Sequence, residues 1–328
     1  MHMYKKILVT GATGYIGHAV AKAAAEAGYV VHILVRNLSS PNKPSHPAIR
    51  CFAGDIVDKR AVMGAIAGCD AVIHCAGLTR LFSRKSDVFY RTNVEGTRVL
   101  LECAINEGAK RFVFTSSCAV AGPSLVHPLS EADPRITPLE NDYEISKYLA
   151  EKMVRDSSKK IDAIIVAPSR VYGIGLDTQG NPITQFVAGV VKRRFAVVPS
   201  AKHVQGNYVL IDDVVTGHLL ALEHGRNGEK YFLGGENVSY ADLFETIRQN
   251  FPHRLYLFPI SSKFMKIYAY LASTFNLFRA SESHLSPRVV ERLLQNRTIS
   301  SEKAQRELGY KITPLSVGMH RMIKQITR

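Results

Sequence analysis

With 328 residues, 46% of them hydrophobic, the chain is long enough to bury a large core. Its 42 lysines and arginines exceed its 28 acidic residues and give a net charge of +14, but no recognisable nucleic-acid-binding module accompanies them, so we expect no nucleic-acid partner. Five cysteines without a Cys-x-x-Cys pair and twelve histidines without metal-ligand spacing predict reduced thiols and no metal site.

The start of the chain favours a cytoplasmic protein. Lys5 and Lys6 lead directly into the first predicted strand, so we expect no signal peptide. No stretch of the sequence reaches the roughly 20 apolar residues that a membrane-spanning helix needs.

The first predicted strand and helix are joined by a glycine turn. An apolar run at residues 7–9 precedes the turn, and the alanine-rich residues 19–27 predict a helix after it. Glycine lets the backbone bend sharply and approach a pyrophosphate, and the helix N-terminus offers free N–H groups to phosphates. The alternative is an ordinary strand-to-helix turn that is rich in glycine. We predict a dinucleotide site formed by Gly11, Thr13, Gly14, Tyr15, Ile16 and Gly17.

The second predicted strand, at residues 29–35, is followed by a cation. An acidic residue near this point would hydrogen-bond the adenosine ribose 2′-hydroxyl of NAD, whereas the guanidinium of Arg36 suits the 2′-phosphate of NADP. We therefore predict NADP(H) as the cofactor and keep NAD(H) as the alternative. The alternative for Arg36 itself is a solvated charge at the end of a strand.

Strands and helices continue to alternate along the first half of the chain. Strands are predicted at Ile49–Ala53, Ala71–His74 and Arg111–Thr115, with helices near residues 58–67 and 87–107. This alternation predicts an α/β fold with a doubly wound parallel sheet of the Rossmann type.

The second half of the chain predicts a smaller substrate-binding region. Residues 1–166, joined by about 205–223, would form the cofactor-binding domain, and residues 167–328 would mainly form the substrate region and a lid. Within the returning segment we predict a strand at 208–211 that rejoins the central sheet.

Small and polar residues follow the third and fourth predicted strands. Asp55 and Ile56 come after the third strand, and the fourth is followed by Cys75, Ala76 and Gly77. Ligands of doubly wound sheets bind at the carboxyl ends of the strands. We predict that Asp55 hydrogen-bonds adenine and that the small residues after the fourth strand leave room for the cofactor.

A tyrosine and a lysine lie four residues apart in a predicted helix at 141–157. This spacing puts Tyr143 and Lys147 on one face of the helix. A free phenol has a pKa of about 10, and we expect the nearby ammonium to lower that pKa so that Tyr143 exchanges a proton near neutral pH. Lys147 would also hydrogen-bond the nicotinamide ribose. The alternative for an isolated Tyr-x-x-x-Lys pattern is a solvated helix face.

The fifth predicted strand ends in hydroxyl-bearing residues that would point into the same crevice. We assign Thr115 to the cofactor site, and we assign Ser117 to polarising the substrate carbonyl, with Ser116 as the alternative. The order of glycine turn, serines and Tyr-x-x-x-Lys pattern favours catalysis over a solvated surface.

Apolar residues in three segments predict a largely hydrophobic substrate. The segments are residues 78–86, 122–141 and 260–279. Basic residues at positions 80, 84 and 85 would either receive an acidic group or remain solvated. The apolar residues are Leu78, Leu81, Phe82, Leu125, Val126, Leu139, Phe264 and Tyr268.

An apolar stripe with a cationic border lies near the C-terminus. Residues 255–279 combine aromatic and aliphatic side chains with Lys263, Lys266 and Arg279. Such a surface suits peripheral contact with an anionic membrane. The alternative is an ordinary amphipathic helix that covers the substrate pocket. Besides a small-molecule substrate, a second copy of the chain, forming a homodimer, is a further partner that we keep open.

These motifs, with several strings further along the chain, resemble those of the extended short-chain dehydrogenases/reductases. The further matches are YRTNVEGT at 90–97, YEISKYLAE at 143–151, PSRVYG at 168–173, VLIDDV at 209–214 and FLGGENV at 232–238. Together with the glycine turn they cover nearly the whole chain in the family's order.

The resemblance implies roles for particular residues. It implies a catalytic triad made of the tyrosine, the lysine and Ser117. It makes Asn93 a helix residue that supports the active-site geometry, and it places Pro168 and Val171 beside the nicotinamide.

Within that superfamily the chain is similar to the dihydroflavonol-reductase and 3β-hydroxysteroid-dehydrogenase branch, and to bacterial hopanoid-associated sugar epimerase-like proteins. Nucleotide-sugar epimerases and dehydratases usually carry an arginine before the strand matching residues 208–211, where it binds the diphosphate. Gln205, Gly206 and Asn207 occupy that neighbourhood in this chain. The difference disfavours a nucleotide-sugar substrate.

The sequence thus supports one leading function and two alternatives. The leading one is an NADP(H)-dependent oxidoreductase that interconverts a secondary alcohol and a ketone or aldehyde on a largely hydrophobic small molecule, with Tyr143 as acid and base. The first alternative is a nucleotide-sugar epimerase or dehydratase with tightly bound NAD. The second is a non-catalytic NADP(H)-sensing protein, which the presence of both Tyr143 and Lys147 disfavours.

Overall fold

The computed structural model describes residues 3–79, 87–178, 180–201, 203–277 and 287–327. A seven-stranded parallel sheet organises this part of the chain, and helices cover both of its faces. The α/β, doubly wound architecture predicted from the sequence is confirmed.

Short strands and longer helices alternate through the described residues. The strands are β1 (Lys6–Thr10), β2 (Val30–Val35), β3 (Ile49–Ala53), β4 (Ala71–His74), β5 (Arg111–Thr115), β6 (Asp162–Pro168), β7 (Arg170–Tyr172), β8 (Phe195–Pro199), β9 (Gln205–Leu210), β10 (Lys230–Leu233), β11 (Glu236–Ser239) and β12 (Tyr256–Ile260). The helices are α1 (Tyr15–Glu26), α2 (Lys59–Ile66), α3 (Asp87–Phe89), α4 (Gly96–Asn106), α5 (Asp142–Asp156), α6 (Pro182–Arg193), α7 (Ile211–His224), α8 (Tyr240–Asn250), α9 (Ser262–Leu277), α10 (Pro287–Leu293), α11 (Glu302–Leu308) and α12 (Leu315–Ile326).

The order of the strands creates a crevice in the middle of the central sheet. That order is β10-β6-β5-β4-β1-β2-β3, so the chain runs outward from β1 to β3 and then crosses over to β4. The switch lies between β1 and β4, where Thr10 pairs in register with His74. Because ligands of such sheets bind at the carboxyl ends of the strands beside the switch, the glycine turn faces the expected position.

The strand predicted at 208–211 does not return to the central sheet. It belongs to β9, which lies between β11 and β7 in a separate three-stranded sheet. The seventh strand of the central sheet is β10, from residues that we assigned to the substrate region. An apolar run predicts a buried strand but does not identify its partner, because pairing depends on packing between distant segments. The following helix α7 packs on the central sheet.

The long helix predicted at 87–107 changes its winding in the middle. A π-helical turn at Tyr90–Glu95 joins α3 to α4. The Thr97 hydroxyl donates a hydrogen bond to the Asn93 carbonyl at 2.6 Å, and the Asn93 side chain is buried. Turns of this kind often accompany functional sites because they redirect one side chain inward.

Candidate active site

A cavity of about 910 Å³ opens at the carboxyl end of the central sheet. Every residue that we predicted to bind the cofactor lines it, and so does Ser117. The structure therefore brings these distant residues into one cavity. From the predicted cofactor set the lining includes Gly11, Thr13, Gly14, Tyr15, Ile16, Gly17, Arg36, Asp55, Ile56, Cys75, Ala76, Gly77, Thr115, Tyr143, Lys147, Pro168 and Val171.

The turn between β1 and α1 leaves no room for side chains at two of its glycines. Gly11 has a φ of +71°, and a Cβ atom there would lie 2.6 Å from the backbone nitrogen of Ala76. A Cβ atom at Gly17 would lie 2.4 Å from the carbonyl oxygen of Gly11. Gly14 precedes α1 without a capping side chain, so the first N–H groups of the helix stay open to a phosphate. This cradle fits the pyrophosphate of a dinucleotide.

Arg36 and Asp55 lie at the ends of neighbouring strands on the cavity wall. Arg36 is exposed and forms no ion pair with a described residue. Asp55 accepts a hydrogen bond from the Val57 amide at 3.3 Å and pairs with Arg91 at 3.4 Å. The guanidinium of Arg36 is therefore available to a ligand in the cavity.

Tyr143 lies in the first turn of α5 and meets Ser117 across the cavity wall. Asn141 caps this helix by accepting a hydrogen bond from the Glu144 amide at 2.9 Å, which fixes the first turn in place. The Tyr143 phenol is buried, and the Ser117 hydroxyl lies close enough to act on its pKa. Burial raises the pKa of Tyr143, while the Ser117 hydroxyl and the positive charge of Arg292 act in the opposite direction.

Lys147 points from α5 toward the end of β5. Its Nζ atom donates a hydrogen bond to the Thr115 carbonyl at 2.6 Å and lies 4.2 Å from the centre of the Phe114 ring. Burial lowers the pKa of this ammonium to about 8, against the attraction of Glu151. The prediction that Lys147 lowers the pKa of Tyr143 is wrong for this structure, because the backbone carbonyl holds the ammonium and burial dominates the pKa of the phenol.

Asn93 lies behind the cavity and not on its wall. Its amide donates to the Ser146 hydroxyl at 2.9 Å, and its side-chain oxygen accepts from the Leu78 amide at 2.8 Å. These contacts tie the segment after β4 to the helix that carries Tyr143. The structure thus gives Asn93 a supporting position and no direct access to a ligand.

Ser116, our alternative to Ser117, is committed elsewhere. Its buried hydroxyl donates to the carboxylate of Glu151, which also pairs with Lys230 at 2.9 Å. Ser117 therefore remains the serine that faces Tyr143. The sequence analysis missed Glu151 because its partners, the residue after β5 and a residue of β10, are far from it in the chain.

Besides Arg91, three arginines that the sequence analysis did not assign line the cavity. Arg170 lies between Pro168 and Val171 in the chain, so its position beside two predicted cofactor-binding residues could have identified it as a cavity residue. Arg292 on α10 and Arg297 after it come from a segment with no recognisable motif. Only the folded chain shows that they face the same space.

The walls of the cavity match our prediction only in part, because Leu78 lines the cavity as predicted and other predicted residues do not. Apolar lining is supplied by Leu293 and Val289 of α10 and by Ile299, whereas Phe264 and Tyr268 of α9 are exposed at the surface. Leu125 and Val126, in the loop 122–141, are also exposed. The helix that lines the pocket is thus α10, whereas the apolar side chains of Phe264, Ile267 and Leu271 on α9 are exposed. The predicted wall residues Arg80, Leu81, Phe82, Arg84 and Lys85 lie outside the described residues.

In the part of the chain that the structure describes, there is neither a metal-binding cluster nor a disulfide. No group of three or more histidine, cysteine, aspartate or glutamate side chains there is arranged to hold a metal ion. The five cysteines are free thiols. Burial raises the pKa of Cys75, which lines the cavity, to about 11.

Comparison with known proteins agrees with this geometry. A model of the NAD dependent epimerase/dehydratase family matches residues 7–234. A Synechocystis sp. protein named as a dihydroflavonol 4-reductase is 33% identical over 239 residues, which are 70% of this chain and 68% of that protein. The 3-beta-hydroxysteroid dehydrogenase of Mycolicibacterium neoaurum is 28% identical over 329 residues, covering 93% of this chain and 86% of that protein.

A solved structure supports the same conclusion at the level of the fold. The dTDP-glucose 4,6-dehydratase of Streptomyces venezuelae, crystallised with NAD, has a TM-score of 0.76 to this chain at 22% identity over 97% of this chain and 96% of that one. The resemblance to short-chain dehydrogenases/reductases and their epimerase relatives is confirmed. The chain belongs to the NAD-dependent epimerase/dehydratase family and is an NAD(P)-dependent oxidoreductase of that superfamily.

Proposed function

We propose that the chain interconverts a secondary alcohol and a ketone or aldehyde on a largely hydrophobic small molecule, using NADP(H). The observation that carries this proposal is the proximity of Tyr143 and Ser117 in the same cavity as the glycine turn. The apolar lining of this cavity at Leu293 and Ile299 supports a hydrophobic substrate. The relative named as a steroid dehydrogenase acts on a compound of that kind.

The residues of the chain would divide the reaction between them. A bound nicotinamide would supply or accept the hydride. Ser117 holds the substrate oxygen, and Tyr143 donates a proton to that oxygen during reduction or removes one during oxidation. Because burial raises the pKa of Tyr143, the phenol stays protonated at neutral pH and is ready to act as an acid. Lys147, which donates to the Thr115 carbonyl and lines the same cavity, would hydrogen-bond the nicotinamide ribose.

The choice of NADP(H) over NAD(H) depends on Arg36. Arg36 directly follows β2, is exposed and lines the cavity. Its guanidinium has no acidic partner among the described residues. A 2′-phosphate would form charge-assisted hydrogen bonds with it. Arg36→Asp should therefore reverse the preference, whereas equal use of both cofactors by the unmodified protein would contradict the assignment.

The runner-up is a nucleotide-sugar epimerase or dehydratase, as the name of the Streptomyces venezuelae neighbour suggests. In that reaction the cofactor is restored in each cycle, so purified protein would retain NAD and show no net change in reduced nicotinamide. A non-catalytic NADP(H)-binding protein would show neither turnover nor dependence on Tyr143.

The test is a screen of ketones, aldehydes and secondary alcohols with NADP(H) and NAD(H) in parallel, followed by the absorbance of reduced nicotinamide. We expect net turnover, and we expect Tyr143→Phe to lower kcat by about 10²–10⁴-fold. The control is Tyr148→Phe, which removes an exposed hydroxyl from the same helix and should leave kcat unchanged. Unimpaired turnover by Tyr143→Phe would overturn the proposed mechanism.

We also propose that the chain contacts an anionic membrane surface through β8, β12 and α9. The exposed side chains on these elements include Phe195, Val197, Tyr256, Phe258, Phe264 and Ile267. The exposed cations Arg193, Arg194, Arg254, Lys263 and Lys266 lie in the same segments. An apolar surface bordered by cations matches the chemistry of anionic lipid headgroups. No helix in the described residues is long and apolar enough to cross a bilayer.

Vesicle flotation tests this contact. We expect binding to phosphatidylcholine vesicles that contain phosphatidylserine, and weaker binding after Lys263→Glu with Lys266→Glu, since each basic residue contributes about 1 kcal/mol near such a surface. The control, Lys59→Glu with Arg60→Glu on α2, makes the same change in net charge elsewhere. Equal loss of binding in both double variants, or none in either, would contradict a specific surface.

A further inference from the structure

A cluster of guanidinium groups occupies one side of the cavity beside Tyr143. Arg170, Arg292 and Arg297 all line the cavity, and Arg292 is close enough to the phenol to oppose the burial effect on its pKa. The side chains of Arg292 and Arg297 are 14% and 10% exposed. Three such groups in one partly dry space repel one another unless anions offset them.

The cluster is built into the fold by β9. A Cβ atom at Gly206 would lie 2.1 Å from Nη1 of Arg170, so the glycine makes room for that guanidinium. Arg170 donates to the Tyr208 hydroxyl at 3.0 Å. The backbone of Arg297 pairs with the same strand, since its amide donates to the Gln205 carbonyl at 2.9 Å. Residues 205–207 at the start of β9 include no arginine, but Arg170 and Arg297, from other parts of the chain, lie beside this strand.

The carboxylates near the cluster do not balance its charge. Glu144 pairs with Arg135 at 2.8 Å and with Arg292, and Glu140 pairs with Arg297 at 2.9 Å. With Arg170 included, four guanidinium groups meet two carboxylates among the described residues. The cluster therefore keeps an excess of two positive charges.

Arg297 has hydrogen-bonding capacity that the protein does not use. Its Nε and Nη1 atoms are buried without a hydrogen-bond partner among the described residues, although Nη1 lies 3.9 Å from Glu144. Burial, together with the charges of Arg292 and Arg170, lowers the pKa of Arg297 to about 10. A buried donor of this kind normally has a partner, because leaving it unpaired costs about 1–3 kcal/mol.

We propose that Arg170, Arg292 and Arg297 bind an anionic group of the substrate, so that the substrate is an amphipathic acid. The acid is a hydroxy or oxo compound that carries a carboxylate or a phosphate ester at the arginine cluster and an apolar part against Leu293 and Ile299. Guanidinium groups bind both anions through paired N–H donors. This inference rests on the proposed alcohol–ketone chemistry for its site.

The first experiment measures binding without turnover. Protein saturated with NADPH, so that the phosphate cradle at the glycine turn is filled, is titrated calorimetrically with hexanoate, hexyl phosphate and neutral hexanamide. We expect the two anions to bind at least about tenfold more tightly than the amide, and the tighter of the two identifies the anionic group. Equal affinity for hexanamide would overturn the inference.

The variants locate the binding at the cluster. Arg297→Gln should weaken the binding of the preferred anion by about tenfold or more, with no change for hexanamide. Arg170→Gln serves as the second variant, because Arg170 has no carboxylate partner among the described residues and its loss breaks no ion pair. The control is Arg248→Gln, an exposed arginine on α8 that pairs with Glu245. Unchanged anion affinity in both cavity variants would refute the assignment.

Kinetics separate this inference from the proposed function. For an oxo acid and its neutral methyl ester, Arg297→Gln should raise KM for the acid by about tenfold and leave KM for the ester and both kcat values nearly unchanged. Turnover of both compounds with no preference for the acid would leave the proposed function and remove the anionic substrate. Anion binding without any hydride transfer would support the anion site and contradict the proposed function.

Discussion

At Tyr143 two effects on one phenol compete. Burial raises its pKa, and the positive charge of Arg292 lowers it. Lys147, which the sequence suggested for the lowering role, instead donates to the Thr115 carbonyl. The free protein therefore holds a protonated acid at neutral pH, which is the form that reduction requires.

A pH profile tests this balance. Alcohol oxidation requires the phenolate, so kcat/KM for oxidation should rise with pH on the alkaline side, while kcat/KM for reduction should fall there. Arg292→Gln removes a charge that favours the phenolate, so the oxidation limb should move to higher pH. Arg292→Lys keeps the charge and should restore the profile in large part. A shift to lower pH in Arg292→Gln would contradict the assigned role of Arg292.

Among the elements, the turn before α1 shows how closely backbone geometry limits the sequence. A Cβ atom at Gly17 would lie 2.4 Å from a backbone oxygen that cannot move without opening the turn, whereas one at Gly64, in α2, would meet nothing within 4 Å. Both glycines lie within helices, but only Gly17 is required by the space around it.

Alanine at these two positions should have opposite effects. Gly17→Ala should raise the Kd for NADPH by about ten- to a hundredfold, since overpacking costs about 1–3 kcal/mol. Gly64→Ala should leave Kd unchanged and stabilise the protein by about 0.5–1 kcal/mol, because alanine loses less backbone entropy in a helix. Fluorescence titration and denaturant unfolding measure the two quantities. Tight NADPH binding by Gly17→Ala would contradict a phosphate cradle there.

The contact between α5 and α10 depends on a buried carboxylate. Glu144 is fully buried between Arg135 and Arg292. Burial alone would raise its pKa, but Arg292 and Arg135 hold the pKa below its usual value. Glu144→Gln should therefore lower the free energy of unfolding by about 3–5 kcal/mol, because it leaves buried charges unpaired. Glu245→Gln, at an exposed pair on α8, should change it by less than about 1 kcal/mol.

For the whole molecule, the buried histidines couple folding to pH, and His74 and His218 are the two with the largest effect. Burial lowers the pKa of His74 to about 3 and that of His218 to about 4, from 6.5. Both rings lie within hydrogen bonds, His74 with Thr10 at 2.7 Å and His218 with Thr115 at 2.8 Å. Below pH 6.5 the unfolded chain binds protons that the folded chain does not, so stability falls as pH falls through this window.

Denaturant unfolding between about pH 4 and pH 6.5 measures that coupling. Each buried neutral histidine should add up to about 1.4 kcal/mol per pH unit to the slope. His218→Gln should remove one such contribution, whereas His224→Gln, an exposed residue on the same helix, should leave the slope unchanged. An unaltered slope in His218→Gln would show that its ring does not stay neutral in the folded protein.

The sequence alone determined the features that depend on short stretches of chain. The strands β3, β4 and β5 were predicted with the bounds that the structure shows, because short apolar runs between turn residues suffice to predict buried strands. The glycine turn was recognisable because its constraint acts within the backbone of a few residues. The spacing of Tyr143 and Lys147 follows from one helical turn.

Tertiary structure decided which distant segments meet. It placed β9 in the separate three-stranded sheet and put β10 at the edge of the central one. It left Phe264, Ile267 and Leu271 of α9 exposed, while α10 lined the cavity. It also brought Arg292 to Glu144, a residue 148 positions away in the chain. Local patterns give a segment's shape and apolar face, but the partner of that face and the charges around a buried group depend on the free energy of packing the whole chain.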